Sequence, residues 1–281
     1  MIALIGILVV IGSVGLGYFM EDGVFGVLMQ PAEWVIIMGA ALGAMLISST
    51  RGSLNLIVKG LPRVFAPNHI SREDYMEVLV ALSRLLSRAR REGLMSIESD
   101  VERPESSPVF LQAKRLSRDK TALAFICDTF RVYLVTGDAQ EIEQLMDIDM
   151  QAIHQQAASP GHNLGKVAES LPGLGIVAAV LGVVLTMGKI TAPPEVLGHS
   201  IGAALVGTFL GVLMCYGFVG PLASNLENQA MERQTFFSVI RAVIAGAARG
   251  ATPLIAVEYG RRAIPEALRP EFSELESLIR G

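Results

Sequence analysis

Two kinds of side chain in this 281-residue sequence stand where they could do chemistry. Arg84, Arg88, Arg90 and Arg91 crowd one polar stretch, with Glu98 close behind. At about 100° per residue on a helix, Glu73, Glu77, Arg84, Arg88 and Arg91 share one charged face, which reads as a solvated surface. Arg90 falls off that face, within about 40° of Leu79 and Leu86. Glu98 follows a break and a new helix start near Ser96. Arg90 and Glu98 are therefore the charges expected to meet a partner. The second kind lies in apolar runs: Thr208, a hydroxyl about a third of the way along one of them, and Pro172 and Pro221 at the ends of two. A mid-span Thr either bonds back to its own helix or offers its oxygen to a polar path. A proline fits the first turn of a helix or makes a hinge, and two at one membrane face read as a paired hinge.

Enzyme chemistry is missing. His69, His154, His162 and His199 are scattered without metal-ligand spacing. There is no Ser/His/Asp or Cys/His constellation and no Walker loop. Gly173-x-Gly175-x-x-Ala178 imitates a dinucleotide fingerprint, but that motif needs a strand before it in a soluble βαβ unit, and here it lies at a membrane boundary. No enzyme activity, cofactor or metal is expected.

A membrane must position these residues. Four apolar runs, at approximately 2–19, 33–50, 171–190 and 199–222, each come close to the ~20 residues that span a bilayer as a helix. No stretch of alternating β-branched residues suggests a sheet. The expected fold is all-α: a polytopic membrane protein with four transmembrane helices and a helical cytoplasmic domain. It divides into 1–50 with the first two spans, 51–170 as the cytoplasmic domain, 171–222 with the third and fourth spans, and 223–281 as a C-terminal helical segment. Residues 1–50 hold no Lys or Arg and the connection between the last two runs holds only Lys189. That bias puts both polar segments and both termini in the cytoplasm. The first run lacks a basic leader and a small-x-small cleavage site, so it reads as a retained span.

Composition agrees, with 51% hydrophobic residues and a mean hydropathy of +0.48. Acidic and basic residues nearly cancel in 51–170, so no basic patch argues for nucleic acid. Cys127 and Cys215 fall in different regions and form no disulfide framework. Gly6, Gly12, Ser13, Gly15 and Gly17 in the first span and Gly39, Ala40, Gly43 and Ala44 in the second supply small-residue faces, read first as packing within one subunit and second as packing between subunits. Ser71 with Asp74 makes a capping box for a helix to Glu92, closed by Gly93. Further helices are expected over 108–135 and 138–157, a turn at Ser159–Asn163, and a helix over 223–248. Glu33 and Lys189 stand at the ends of their runs, leaving no ionisable residue in the span interiors. Proton carriers in membranes are usually such residues, so a partner must supply the carboxylate if this chain conducts protons.

Four segments carry a resemblance. LPGLGIVAAVLGVV and LVGTFLGVLMCYGFVGPLA in the last two spans, RREGLMSIESDVERP, and AVEYGRRAIPEALRPEFSELE near the end resemble flagellar motor stator subunits of the MotA type, and LVVIGSVGLGYFM with QPAEWVII is similar to the proton-driven branch. The resemblance implies that Arg90 and Glu98 engage the rotor, that Pro172 and Pro221 couple ion flow to torque, and that the third and fourth spans line the pore through Thr208. Sodium-driven relatives carry a second threonine where this sequence has Ala179, and a methyl group offers no oxygen to a dehydrating sodium ion. The same resemblance implies a homopentamer around a single-span MotB-type partner. That partner supplies the proton-carrying Asp and grips peptidoglycan. A FliG-type protein of the rotor switch complex, membrane lipid and the bacterial inner membrane follow, with a role in motility and chemotaxis.

A TonB/Tol-type (ExbB/TolQ-like) energy-coupling subunit is the alternative, although that type usually has three spans. A solute transporter would need polar binding groups or broken helices at mid-membrane, and a scaffold would give the paired prolines no purpose.

Overall fold

The computed structural model describes residues 2–65 and 69–280, and among these no residue lies in a strand. In chain order the helices are α1 (Ile2–Met20), α2 (Phe25–Leu28), α3 (Pro31–Ser48), α4 (Arg51–Phe65), α5 (Arg72–Glu92), α6 (Glu98–Glu102) and α7 (Pro108–Gln112). They continue as α8 (Lys114–Arg118), α9 (Lys120–Thr136), α10 (Ala139–Met187), α11 (Pro194–Leu213), α12 (Gly220–Ala248), α13 (Pro253–Ala263) and α14 (Phe272–Arg280). Four helical stretches, Ile2–Met20, Phe25–Ser48, Ala139–Met187 and Pro194–Ala248, are long and apolar enough to cross a membrane. The chain is an all-α membrane protein. It forms two compact units, Met1–Asn68 with Ala157–Gln229, and His69–Gln156 with Ala230–Gly281.

In the apolar unit, Ile37 and Ala41 of α3 pack with Ala168, Leu171 and Ala178 of α10 and with Val206 and Leu210 of α11. The α10–α11 crossing is built from glycine. A Cβ on Gly211 would lie 2.5 Å from the Leu171 carbonyl oxygen, and one on Gly175 would lie 2.7 Å from that of Gly207. Small residues permit this backbone contact where lipid gives no hydrophobic drive for association. The small residues of α1 and α3 do something else. A Cβ on Gly6, Gly12, Gly15, Gly17, Gly39 or Gly43 would meet nothing within 4 Å, so the first reading, packing within one subunit, is overturned for these glycines.

Two further expectations fail in the same unit. Ser159–Asn163 is helix, within an α10 that runs unbroken for 49 residues through Pro160 and Pro172. Tertiary contacts outweigh the turn signal: Gly60 of α4 packs on Pro160, and the Asn163 side-chain amide donates to Ser53 Oγ at 2.6 Å. Gly161 sits against α12, where a Cβ would come 3.0 Å from the Ala223 carbonyl oxygen. Its lack of a side chain serves close approach and not a bend. Pro172 accordingly opens no helix. Pro221 closes none, because α11 passes into α12 through a π-helical segment, Met214–Val219. Within it the Gly220 N–H reaches back five residues to the Cys215 carbonyl. A proline has no N–H and its ring presses on the carbonyl four residues earlier. Widening the preceding turn relieves that pressure.

The polar unit packs around α5. Ser71 and Asp74 form the capping box, Ser71 N–H donating to Asp74 Oδ2 at 2.8 Å, and Gly93 ends the helix at φ 87°. Leu79, Leu82, Phe125, Phe130, Phe237 and Val243 are buried in its core, with the Phe125 and Phe237 rings edge to face at 5.1 Å. The expected helix over 108–135 is three helices. Asp119 interrupts it by capping α9 through the Ala122 N–H at 3.0 Å, while its carboxylate accepts from Arg233 Nη2 at 2.7 Å. The helix of 223–248 lies inside α12, as its sequence predicts.

Candidate functional site

Thr208 and Ala179 lie at the glycine crossing. Thr208 is half-buried and its hydroxyl has no hydrogen-bond partner among the described residues, so it does not bond back to α11. Its Cα would be 3.3 Å from a Cβ on Gly175. Ala179 is buried, and its backbone nitrogen would be 3.1 Å from a Cβ on Gly207. The two residues therefore sit within about one turn of each other along α10, as Gly175 and Ala179 are four residues apart. A second threonine went unread: Thr186 is buried and donates to the Gly182 carbonyl at 2.8 Å.

The same crossing holds an acid that sequence reasoning placed at the end of a run. Glu33, in the first turn of α3, is 7% exposed. Its Oε2 would lie 2.5 Å from a Cβ on Gly207 and its Oε1 3.6 Å from one on Gly182. The Oε2 atom has no hydrogen-bond partner among the described residues. Pro31 and an acid two residues later are the ordinary signature of a helix N-terminus. That signature hid the fact that this N-terminus docks against both helices of the crossing.

Pro172 is half-buried and Pro221 exposed. Each lacks the N–H that would meet a carbonyl four residues back, those of Ala168 and Gly217. The ladder is therefore interrupted once inside α10, at Pro172, and once at the start of α12, at Pro221.

In the polar unit the arginine cluster separates by partner. Arg88 is not simply solvated: it pairs with Asp100, which is 2% exposed and also accepts from Ser107 Oγ at 2.6 Å. Arg84 bonds Gln112. Arg90 is exposed and makes one long bond, Nη1 to the Ala251 carbonyl at 3.4 Å. Arg91 and Glu98 are exposed and have no ion-pair partner among the described residues. Beside Arg84, Arg88, Arg90 and Arg91 opens a hollow of about 490 Å³. The available charges are those that an acidic and a basic group on another molecule could reach. Among the described residues no group of three His, Cys, Asp or Glu is placed to hold a metal.

Motility protein A of Escherichia coli strain K12 is 39% identical over 283 aligned positions, covering 100% of this chain and 96% of that protein. The chain belongs to the motility protein A family. Within that family, the model for the motility protein A N-terminal region matches residues 4–93, which include Glu33 and Arg90. The MotA/TolQ/ExbB proton channel family model matches 118–238, which include Pro172, Ala179, Thr208 and Pro221. A chemotaxis protein LafT of Vibrio parahaemolyticus is 32% identical over 98% of this chain and 97% of its own length. The fold is similar to that of the C. jejuni MotAB structure, with a TM-score of 0.78 at 20% identity, covering 94% of this chain and 95% of that one. The MotAB stator complex of Bacillus subtilis gives 0.77 at 21%, covering 96% and 98%. The second family model spans the ExbB/TolQ relatives as well. The N-terminal model and the full-length match favour motility protein A over that alternative.

Proposed function

We propose that this chain is the proton-channel and torque-generating stator subunit of a bacterial flagellar motor. The observation that carries the reading is the 39% identity to motility protein A along the whole chain. In this reading the chain lies in the inner membrane with both termini in the cytoplasm, as the absence of Lys and Arg from residues 1–50 supports. Five copies surround a single-span, peptidoglycan-anchored partner whose membrane Asp takes up the proton. The open glycine faces of α1 and α3 support contacts with other chains and with lipid.

The mechanism follows from the two groups of residues. Protonation of the partner Asp changes its fit against α10 and α11, where Thr208 presents an unsatisfied hydroxyl. The ring then steps around the fixed partner, drawing on about 2.3 kcal/mol per elementary charge per 100 mV. Pro172 and Pro221 bend the coupling helices, and Arg90 and Glu98 pass the motion to complementary charges on the rotor. Deleting this chain from its own host should abolish swimming without abolishing flagella, and a plasmid copy should restore it. Swimming that survives the deletion, with no second stator present, overturns the reading.

A further inference from the structure

We propose that Glu33 is a proton-holding group of the ion path, contributed by this chain and seated in the span against both α10 and α11. The proposal rests on the stator reading above and adds a carboxyl to a path for which a partner was expected to supply the only one.

Three observations carry it. The first is depth. Gly207 lies about 20 Å along α11 from Pro194 and about 20 Å before Pro221, at 1.5 Å per residue, so the acid that touches it is well inside the helical stack. Gly182 lies about a turn and a half from the end of α10. The second is a built seat. The two glycines leave room for the carboxyl, and a methyl group on Gly207 would come within 2.5 Å of Oε2 and clash with it. The third is the missing counter-charge. Oε2 is buried and unpartnered among the described residues. Apart from the carboxyl itself, the atoms nearest the two glycines belong to Ala178, Ala179 and Ala204, whose side chains can neither titrate nor donate.

A carboxylate without a donor or a cation is costly in such a place, whereas the acid form carries its own proton and no net charge. Intramembrane acids left in apolar surroundings are characteristic of proton relays. In the transfer step the Glu33 O–H bond breaks as an O–H bond forms on the partner's membrane carboxylate. Glu33, now ionised, takes a replacement proton from the aqueous side of higher proton activity. Atoms and charge balance, and the proton motive force supplies the direction.

The test uses the complete complex in its own host, with Glu33→Gln and Glu33→Asp compared at equal membrane abundance. Glu33→Gln keeps the shape and cannot exchange a proton, so motor speed should fall severalfold, while Glu33→Asp should retain part of it. In purified complex, the infrared band of a protonated carboxyl should disappear in Glu33→Gln and shift in Glu33→Asp. Motors that turn at wild-type speed with Glu33→Gln overturn the proposal, as does an unchanged carboxyl band. If Glu33→Gln does not accumulate, the Glu33→Asp spectrum decides: a shifted band supports the proposal and an identical one overturns it. A wild-type complex that drives no motor sinks the stator reading instead, which separates the two failures.

Discussion

Arg90 and Glu98, like Arg91, have no ion-pair partner among the described residues, whereas Arg88 pairs with the buried Asp100. Arg90→Glu and Glu98→Lys should each impair swimming while membrane insertion and partner binding persist, because the lost contacts lie on another molecule. Swimming plates and immunoblots of the membrane fraction read the two effects apart. Normal motility of the double charge reversal with an unaltered rotor would remove both residues from the drive contact. The helical wheel set Arg90 beside Leu79 and Leu86, both of which are buried in α5. It failed for Arg88, whose partner Asp100 comes twelve residues later, beyond the Gly93 turn. A wheel contains no information about a chain that doubles back. Glu258 offers a separate test of the polar unit. It accepts from Arg261 Nε at 2.6 Å and Nη2 at 2.8 Å, and from Arg262 Nε at 2.8 Å. The Arg261 hydrogen bonds, followed by those of Arg262, hold its pKa at about 2, against an ordinary 4.5. A carboxylate with a depressed folded-state pKa stabilises the fold fully above its unfolded value and loses that contribution as pH falls through the folded one. Thermal unfolding of the purified protein should show a wild-type advantage over Glu258→Gln above pH 4.5 that shrinks toward pH 2. An advantage independent of pH would contradict it.

At the scale of the element, the prolines were legible as residues and illegible as geometry. Pro160-Gly161 has the composition of a turn, yet it continues α10 because Gly161 packs on α12 and Asn163 is held by Ser53 of α4. Local turn chemistry lost to contacts more than sixty residues away in sequence. The spans themselves were readable, since hydropathy needs no tertiary partner, but their starts were not: α10 begins at Ala139 and α11 at Pro194. Pro172→Ala and Pro221→Ala should each permit assembly and lower torque under load, because an added N–H completes the hydrogen-bond ladder and straightens the helix. Bead assays at high load measure this directly. Full torque from both variants would leave the prolines with a structural role alone.

For the whole molecule, the ion is the question that sequence and structure approach from opposite sides. Ala179 is buried beside Gly207 and contributes no oxygen, while the Thr208 hydroxyl is unsatisfied. One hydroxyl is a poor replacement for the several oxygens that a dehydrated sodium ion requires. Rotation should persist in sodium-free medium, collapse with a protonophore, and remain sodium-independent in Ala179→Thr. Motors that stop when sodium is withdrawn at constant proton motive force would refute the assignment. The sequence located both residues, but it could not place Glu33 beside them. That placement depends on where the α3 N-terminus docks, and no local pattern encodes it.

The π segment at Met214–Val219 has a consequence for sequence length itself. A wide turn of this kind accommodates one residue more than an α-helix of equal rise. Here it lets Val206 and Leu210 before it, and Ala223 and Leu226 after it, each face their own apolar cluster. Deleting a single residue inside 214–219 should therefore be absorbed, with the wide turn tightening and both flanks keeping their register. The same deletion at Ala203 would rotate everything that follows by about 100° and take those faces off their clusters. Single-residue deletions scanned through 200–225, scored by membrane accumulation, should show one tolerant window in an intolerant background. In this stretch a gap in the coding sequence is a structural variable.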